Sequence, residues 1–290
     1  MKKLKQIIQD VKARVAQSNP DEMNDLLWPL ICYPPKMPLR LQQEQLLANA
    51  EKFSVVVNDP YFTQQQLNIN AFKWGNGKNK VLITHGWGSK AADFDGLITA
   101  LLTNTDLQIV AFDAPACGSS DGELSNLLLF VNATKAVIAA SGKPDIAIGH
   151  SFGAMTNVTA LSELNVTPTL LISIAPFILL QENFIKNMTA AGVSPMAQQN
   201  FLEDFKARYG IYPSYYNMSD LYTFDATLDH WMAYDEQDMM LPDVYLQDFL
   251  KEHPSIKTKN YSGAGHERII KSAALTNDVA KQVRVALADK

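Results

Sequence analysis

The stretch Asp145-Ile146-Ala147-Ile148-Gly149-His150-Ser151-Phe152-Gly153-Ala154 decides the reading of this 290-residue chain. Ile146 to Ile148 is a short apolar run that reads as a buried strand, and residues 151 to 164 carry a helical pattern. Between them, Gly149-His150-Ser151-Phe152-Gly153 has the form Gly-x-Ser-x-Gly in the strand-to-helix setting that this turn requires. The two glycines let strand turn sharply into helix without Cβ clashes, leaving the Ser151 hydroxyl exposed on a strained backbone. The helix that follows points its N-terminal dipole at any oxyanion formed when Ser151 attacks a carbonyl.

Outward from this turn, short apolar runs alternate with longer helical patterns. Phe53 to Val57, Val81 to Thr84, Gln108 to Phe112, Leu170 to Ile174, Trp231 to Tyr234 and Ser255 to Tyr261 read as strands. Helices are expected over 4–17, 39–51, 91–103, 123–141, 243–252 and 267–288, with the Pro-rich stretch from Pro29 to Pro38 breaking regularity. Residues 66–74 and Val81 to Thr84, joined by Gly75-Asn76-Gly77, read as a hairpin. Such alternation predicts an α/β fold with a mainly parallel central sheet flanked by helices. More than fifty residues separate the strand ending at Ile174 from the one starting near His230, far beyond an ordinary connection. The expected organisation is an N-terminal helical extension over 1–52, a core over 53–177 and 228–290, and a mostly helical cap over 178–227.

Composition narrows the function. Thirty acidic against 25 basic residues give a net charge of −5 with no basic block, so neither nucleic acid nor an anionic membrane is an expected partner. Cys32 and Cys117 form no CxxC pair or disulfide framework, which points to a reducing compartment and away from structural zinc. The basic start is interrupted by Gln6, Gln9, Asp10 and Lys12 where a signal peptide would be apolar, so a cytoplasmic location is expected. The triplet Asn157-Val158-Thr159 falls in the helix after the turn and reads as a chance glycosylation match. No apolar run reaches the roughly 20 residues of a membrane-spanning helix.

His85-Gly86-Trp87-Gly88 follows the strand Val81 to Thr84, and together with the serine turn it resembles the α/β-hydrolase family. Phe112-Asp113-Ala114-Pro115-Ala116-Cys117-Gly118-Ser119-Ser120 is similar to the loop after that family's fourth strand, with Ala116 and Cys117 in place of its Gly and His. The resemblance implies an oxyanion hole formed by the backbone amides of Trp87 and Phe152. His85 and Asp113 read as structural; Cys117 is a structural residue or, alternatively, one lining the pocket, and a role as nucleophile would need an adjacent base.

Five histidines leave one base by elimination. His150 lies in the turn, His85 in the loop after its strand, His230 at a strand start and His253 at a helix end. His266, in Gly263-Ala264-Gly265-His266-Glu267 between the last strand and the final helix, remains and stands where the family carries its base. The acid should follow the penultimate strand, where Asp235, Glu236 and Asp238 compete. The family pattern of an acid four residues before Pro, here Pro242, favours Asp238 and leaves Asp235 as a brace for the loop, although either can pair with His266.

The reading is therefore a serine hydrolase cleaving a carboxylic ester or thioester through an acyl-enzyme, with a small-molecule substrate and no cofactor or metal. The alternatives are an acyltransferase with the same triad and a binding protein that keeps the fold without catalysis. The proposed cap holds Tyr209, Tyr212, Tyr215, Tyr216 and Tyr222 with Phe184, Met188, Met196, Phe201 and Phe205; these either pack the cap or line an apolar acyl pocket.

Overall fold

The computed structural model describes residues 2–17 and 22–288. Met1 and residues 18–21 of the expected N-terminal extension, and the last two residues of the expected core, lie outside them. An eight-stranded sheet runs in the order β1-β2-β4-β3-β5-β6-β7-β8, from β1 (Glu51–Asp59), β2 (Gln65–Trp74), β3 (Asn79–Thr84) and β4 (Leu107–Phe112) to β5 (Ile146–His150), β6 (Leu170–Ile174), β7 (Asp229–Tyr234) and β8 (Lys257–Asn260). From β4 to β8 every neighbouring pair is parallel, while β1 and β2 are antiparallel additions at one edge.

Both faces of the sheet are covered, which explains why β5 and β6 are buried at every position rather than alternating. On one face Ile83, Ile148 and Ile172 pack against α4 (Asp95–Leu101) and α11 (Ala273–Ala288). On the other, Leu82, Ala147 and Leu171 meet α5 (Leu127–Ser141) and α6 (Phe152–Glu163). Asn126 caps α5 by accepting the Leu129 amide at 2.8 Å.

Two expectations are corrected. The residues flanking Gly75 to Gly77 do not form a hairpin: β2 pairs with β1 and β4, and β3 lies between β4 and β5. Val81, Leu82 and Ile83 are buried on both faces between the two helix layers, as befits a central strand, and the parallel partners β4 and β5 satisfy its backbone groups on both edges. The turn folds instead onto the start of β4, where the Gly77 amide donates to the Leu107 carbonyl at 3.1 Å. The hairpin of this sheet is β1–β2, with Glu51 opposite Lys73 and Asp59 opposite Gln65.

The Pro-rich stretch also does not interrupt all regular structure, because α2 (Asn24–Cys32) runs through Pro29. Proline there removes one helical hydrogen bond. Burial of Leu27, Trp28, Ile31 and Cys32 in this one short helix outweighs that loss.

Helices α1 (Lys2–Val15), α2 and α3 (Leu41–Ala48) precede the sheet, and α7 (Leu180–Ala190), α8 (Pro195–Tyr209) and α9 (Met218–Leu221) lie between β6 and β7. Helix α8 starts at a Ser194 cap followed by Pro195 and ends at Gly210 in the left-handed region. The α2 indole of Trp28 stands against the α8 rings of Phe201, Phe205 and Tyr209, at centroid separations of 4.7, 6.0 and 5.8 Å. Its Nε1–H donates to Asp204 Oδ2 at 2.6 Å. Helix α10 (Asp243–Glu252) links β7 to β8. No helix among the described residues is long and apolar enough to cross a membrane.

Candidate functional site

The loops after β3, β5, β7 and β8 leave the same edge of the sheet, the carboxyl ends of the parallel strands where open α/β sheets place their ligand sites. Ser151 sits directly after β5 with φ 51° and ψ −120°, a conformation a non-glycine residue adopts at a cost. Three hydrogen bonds hold it there: its amide donates to the Ile174 carbonyl at 2.9 Å, and its carbonyl accepts the amides of Ala154 at 3.0 Å and Phe177 at 3.1 Å. The flanking glycines are sterically required. A Cβ on Gly149 would come within 2.5 Å of Ala154 Cα, and one on Gly153 would run into the Thr84 and His85 carbonyl oxygens.

The fold brings Ser151, Asp238 and His266 together. His266 Nε2 lies 2.7 Å from Ser151 Oγ, and its Nδ1 lies 2.6 Å from Asp238 Oδ2. A carboxylate only accepts, so Nδ1 carries the imidazole proton and Nε2 is left to accept from the serine hydroxyl. The second Asp238 oxygen accepts the Met240 and Leu241 amides at 2.8 and 3.2 Å. Burial works to raise the Asp238 pKa, but the His266 hydrogen bond and charge and these two amides outweigh it and hold the acid below its ordinary value. The arrangement can take the Ser151 proton onto a histidine whose resulting charge is met by Asp238.

Asp235 lies elsewhere in the site. Its oxygens accept the amides of Gly265 at 2.6 Å, Gly263 at 3.2 Å and Gln237 at 3.0 Å, so it ties the β8 loop to the end of β7. Burial again pushes upward, and the backbone amides, Gly265 first, bring its pKa below the ordinary carboxylate range.

His85 holds two loops together: Nδ1–H donates to the Gly86 carbonyl at 2.7 Å and Nε2 accepts the Ala114 amide at 2.9 Å. Burial lowers its pKa, keeping it neutral. Asp113 accepts from the Ala91 amide at 2.9 Å and from the Ser119 amide and hydroxyl at 2.7 and 2.8 Å, a structural set. Cys117 is buried away from the cavity, and burial pushes its thiol up to about 12. Trp87 and Phe152 meet edge to face at 5.4 Å beside Ser151, and Phe152 opens α6, so its amide has no acceptor within the helix.

Three features went unread in the sequence. His150 is buried beneath His266, donating Nε2–H to the His266 carbonyl at 2.9 Å, and burial lowers its pKa to about 3. Its Nδ1 has no partner among the described residues. Cys32, at the end of α2, lines the cavity over Ser151. So do Leu4 and Ile8 of α1, whose apolar spacing announced a buried face without saying what it faces. That cavity has a volume of about 370 Å³ and also meets Ser151, His266 and Phe184 of α7. No group of three or more His, Cys, Asp or Glu side chains among the described residues is arranged to hold a metal ion.

Comparison with known proteins agrees with this architecture. The alpha/beta hydrolase family model matches residues 81–276, well over half of the chain. A solved esterase from Pyrococcus furiosus is similar in fold at 18% identity, with a TM-score of 0.61 over 89% of this chain and 97% of that one. A carboxylesterase structure from Nitrososphaera gargenis has 12% identity and a TM-score of 0.59, covering 81% of this chain and 100% of its own. The haloalkane dehalogenase DatA from Agrobacterium tumefaciens C58 has 10% identity and a TM-score of 0.60, covering 82% and 97%. At such identities these likenesses concern the fold, and neighbours acting on different bonds share it. No curated protein matches the chain. The residues matched span β3 to α11 and include the serine turn, both candidate acids and the candidate base; the chain belongs to the alpha/beta hydrolase family.

Proposed function

We propose that this chain is a serine hydrolase that cleaves a carboxylic ester or thioester through an acyl-enzyme. The observation that carries the reading is His266 bridging Ser151 Oγ at 2.7 Å and Asp238 Oδ2 at 2.6 Å. His266 Nε2 takes the hydroxyl proton as Ser151 Oγ bonds to the substrate carbonyl carbon, and Asp238 stabilises the imidazolium. The Trp87 and Phe152 amides receive the oxyanion, a contribution of about 3 kcal/mol for one such donor. The tetrahedral adduct collapses by breaking the bond to the leaving alcohol or thiol, which takes the proton from His266. Water then repeats the sequence at the acyl-enzyme: His266 removes its proton, the acid leaves, and Ser151 recovers the proton.

The helices between β6 and β7 serve as a cap, with α1 and α2 completing the roof. Support comes from the cavity, which has α1, α2 and α7 on one side and Ser151 and His266 on another. The test is labelling by a fluorophosphonate together with turnover of a short-chain aryl ester. Labelling and turnover are expected in the native chain and lost in Ser151→Ala. Turnover retained by that variant removes Ser151 as nucleophile, and a native chain that neither labels nor turns over any ester is a binding protein on this fold.

A further inference from the structure

The cavity above Ser151 is unusual in what it lacks. No Asp, Glu, Lys or Arg side chain lines it among the described residues, and its only ordinarily basic group is His266. The Cys32 thiol is pushed up by burial and the Tyr216 phenol by burial to about 12, so both stay neutral. Ser125, Asn126, Asn183 and Asn187 offer neutral hydrogen-bonding groups in the lining, but no fixed opposite charge is there to pair with a phosphate, a carboxylate or an ammonium, which makes burying one costly. Its volume of about 370 Å³ suits a small to medium ligand.

The walls come from segments far apart in the chain: Leu4 and Ile8 in α1, Leu30 in α2, and Leu180 and Phe184 in α7. Leu4 and Ile8 are one turn apart on the same face of α1, while the adjacent Ile7 and Val11 are buried and anchor the helix, which packs against α2. The ion pair from Lys3 to Glu123 is exposed at both ends and adds little. At the other end of α1, Arg14 donates to the Glu22 carbonyl at 2.9 Å and lies 3.9 Å from Asp25, so polar contacts also tie α1 beside α2, while the Leu4 and Ile8 side chains of its inner face belong to the cavity.

We propose that this cavity is the binding site for an unbranched, uncharged aliphatic acyl chain of medium length, and that Leu4 and Ile8 of α1 close its end and set the chain length accepted. The proposal rests on Ser151 as the nucleophile. It makes α1 a specificity element: each methylene buried along these walls raises kcat/KM by about fourfold until the chain meets α1.

The experiment is kcat/KM for p-nitrophenyl esters from acetate to palmitate, in the native chain, Leu4→Trp, Ile8→Trp and the Leu4→Ala/Ile8→Ala double variant. The native profile is expected to rise to octanoate or decanoate and then fall. Either Trp variant lowers the decanoate-to-butyrate ratio by about tenfold or more, and the Ala variant moves the optimum to longer chains. Opposite shifts cannot both come from a loosened α1, so misfolding is separated from specificity. A flat native profile, or variant profiles parallel to it, overturns the acyl site while fluorophosphonate labelling of Ser151 still stands. If no ester is turned over, calorimetry of the uncharged decanamide with Ser151→Ala decides: binding weakened about tenfold by adding Ile8→Trp supports the site, and no binding overturns it.

Discussion

The Asp235 carboxylate accepts the backbone N–H of Gly265 at 2.6 Å, one residue before His266. With the Gly263 bond at 3.2 Å, it fixes the loop that carries the histidine without touching the imidazole. In Asp235→Asn the amide nitrogen faces a backbone donor, which should cost about 1.5–3 kcal/mol of stability at neutral pH. The sign follows from the lowered native pKa. The stabilisation is present above the unfolded value of about 3.9 and is lost as pH falls through the native value. Urea unfolding should therefore show a gap between native and variant chains at pH 7 that narrows progressively once pH falls below about 3.9. A gap that persists in acid excludes the charged brace.

Asp238→Asn should behave differently. Its Oδ1 bonds to Met240 and Leu241 can survive in the amide, so the fold is retained, but an NH₂ facing His266 Nδ1 forces the imidazole into the wrong tautomer. Turnover should drop by about 10⁴-fold. Stopped turnover assays on both variants distinguish the roles, since Asp235→Asn should lose stability first and Asp238→Asn activity first.

Ser151 is held at φ 51°, where its Cβ is strained. Ser151→Gly should raise stability by about 1 kcal/mol, the released strain exceeding the greater chain entropy of glycine. Ser151→Ala keeps the Cβ and should gain nothing comparable. Thermal melting of the three forms checks this; both variants should be inactive.

Acid sensitivity should begin well above the carboxylate range. His150 and His230 are each held neutral by burial with pKa values of about 3, and His230 is satisfied by Ser173 Oγ at 2.9 Å and Tyr222 OH at 3.1 Å. Below about pH 6.5 the unfolded chain binds protons that the folded chain refuses. Each such histidine then removes about 1.4 kcal/mol of stability per pH unit, down to its native pKa. Denaturant titrations between pH 6 and 4 should show this slope, reduced by one histidine's share in His230→Gln. An unchanged slope in that variant rules His230 out as a source.

Sequence was most informative where chemistry is local. The serine turn combines a strand, two sterically required glycines and a helix start within a few residues; His266 followed from elimination among five histidines, while the preference for Asp238 over Asp235 came from the resemblance to the family pattern of an acid before Pro, here Pro242. Pairing of strands was harder. Gly75-Asn76-Gly77 has the chemistry of a hairpin turn, yet Val81 to Ile83, buried on both faces, run as a central strand between parallel partners. Pro29 likewise reads as a breaker until the burial of its helical neighbours is known. The α1 periodicity identified a face needing cover, but its role in the cavity depends on helices more than a hundred residues away.

The Trp28 contact with Phe201, Phe205 and Tyr209 has a consequence for how the chain is made. Its two sides are separated by about 170 residues, so during synthesis the N-terminal helices emerge long before the partner that packs them. The roof of the cavity is thus a late event in folding, formed by contacts of high sequence separation, and a ribosome-bound chain lacking α8 should expose Trp28 to solvent. Indole fluorescence of nascent chains arrested before and after residue 209 would report when the enclosure closes.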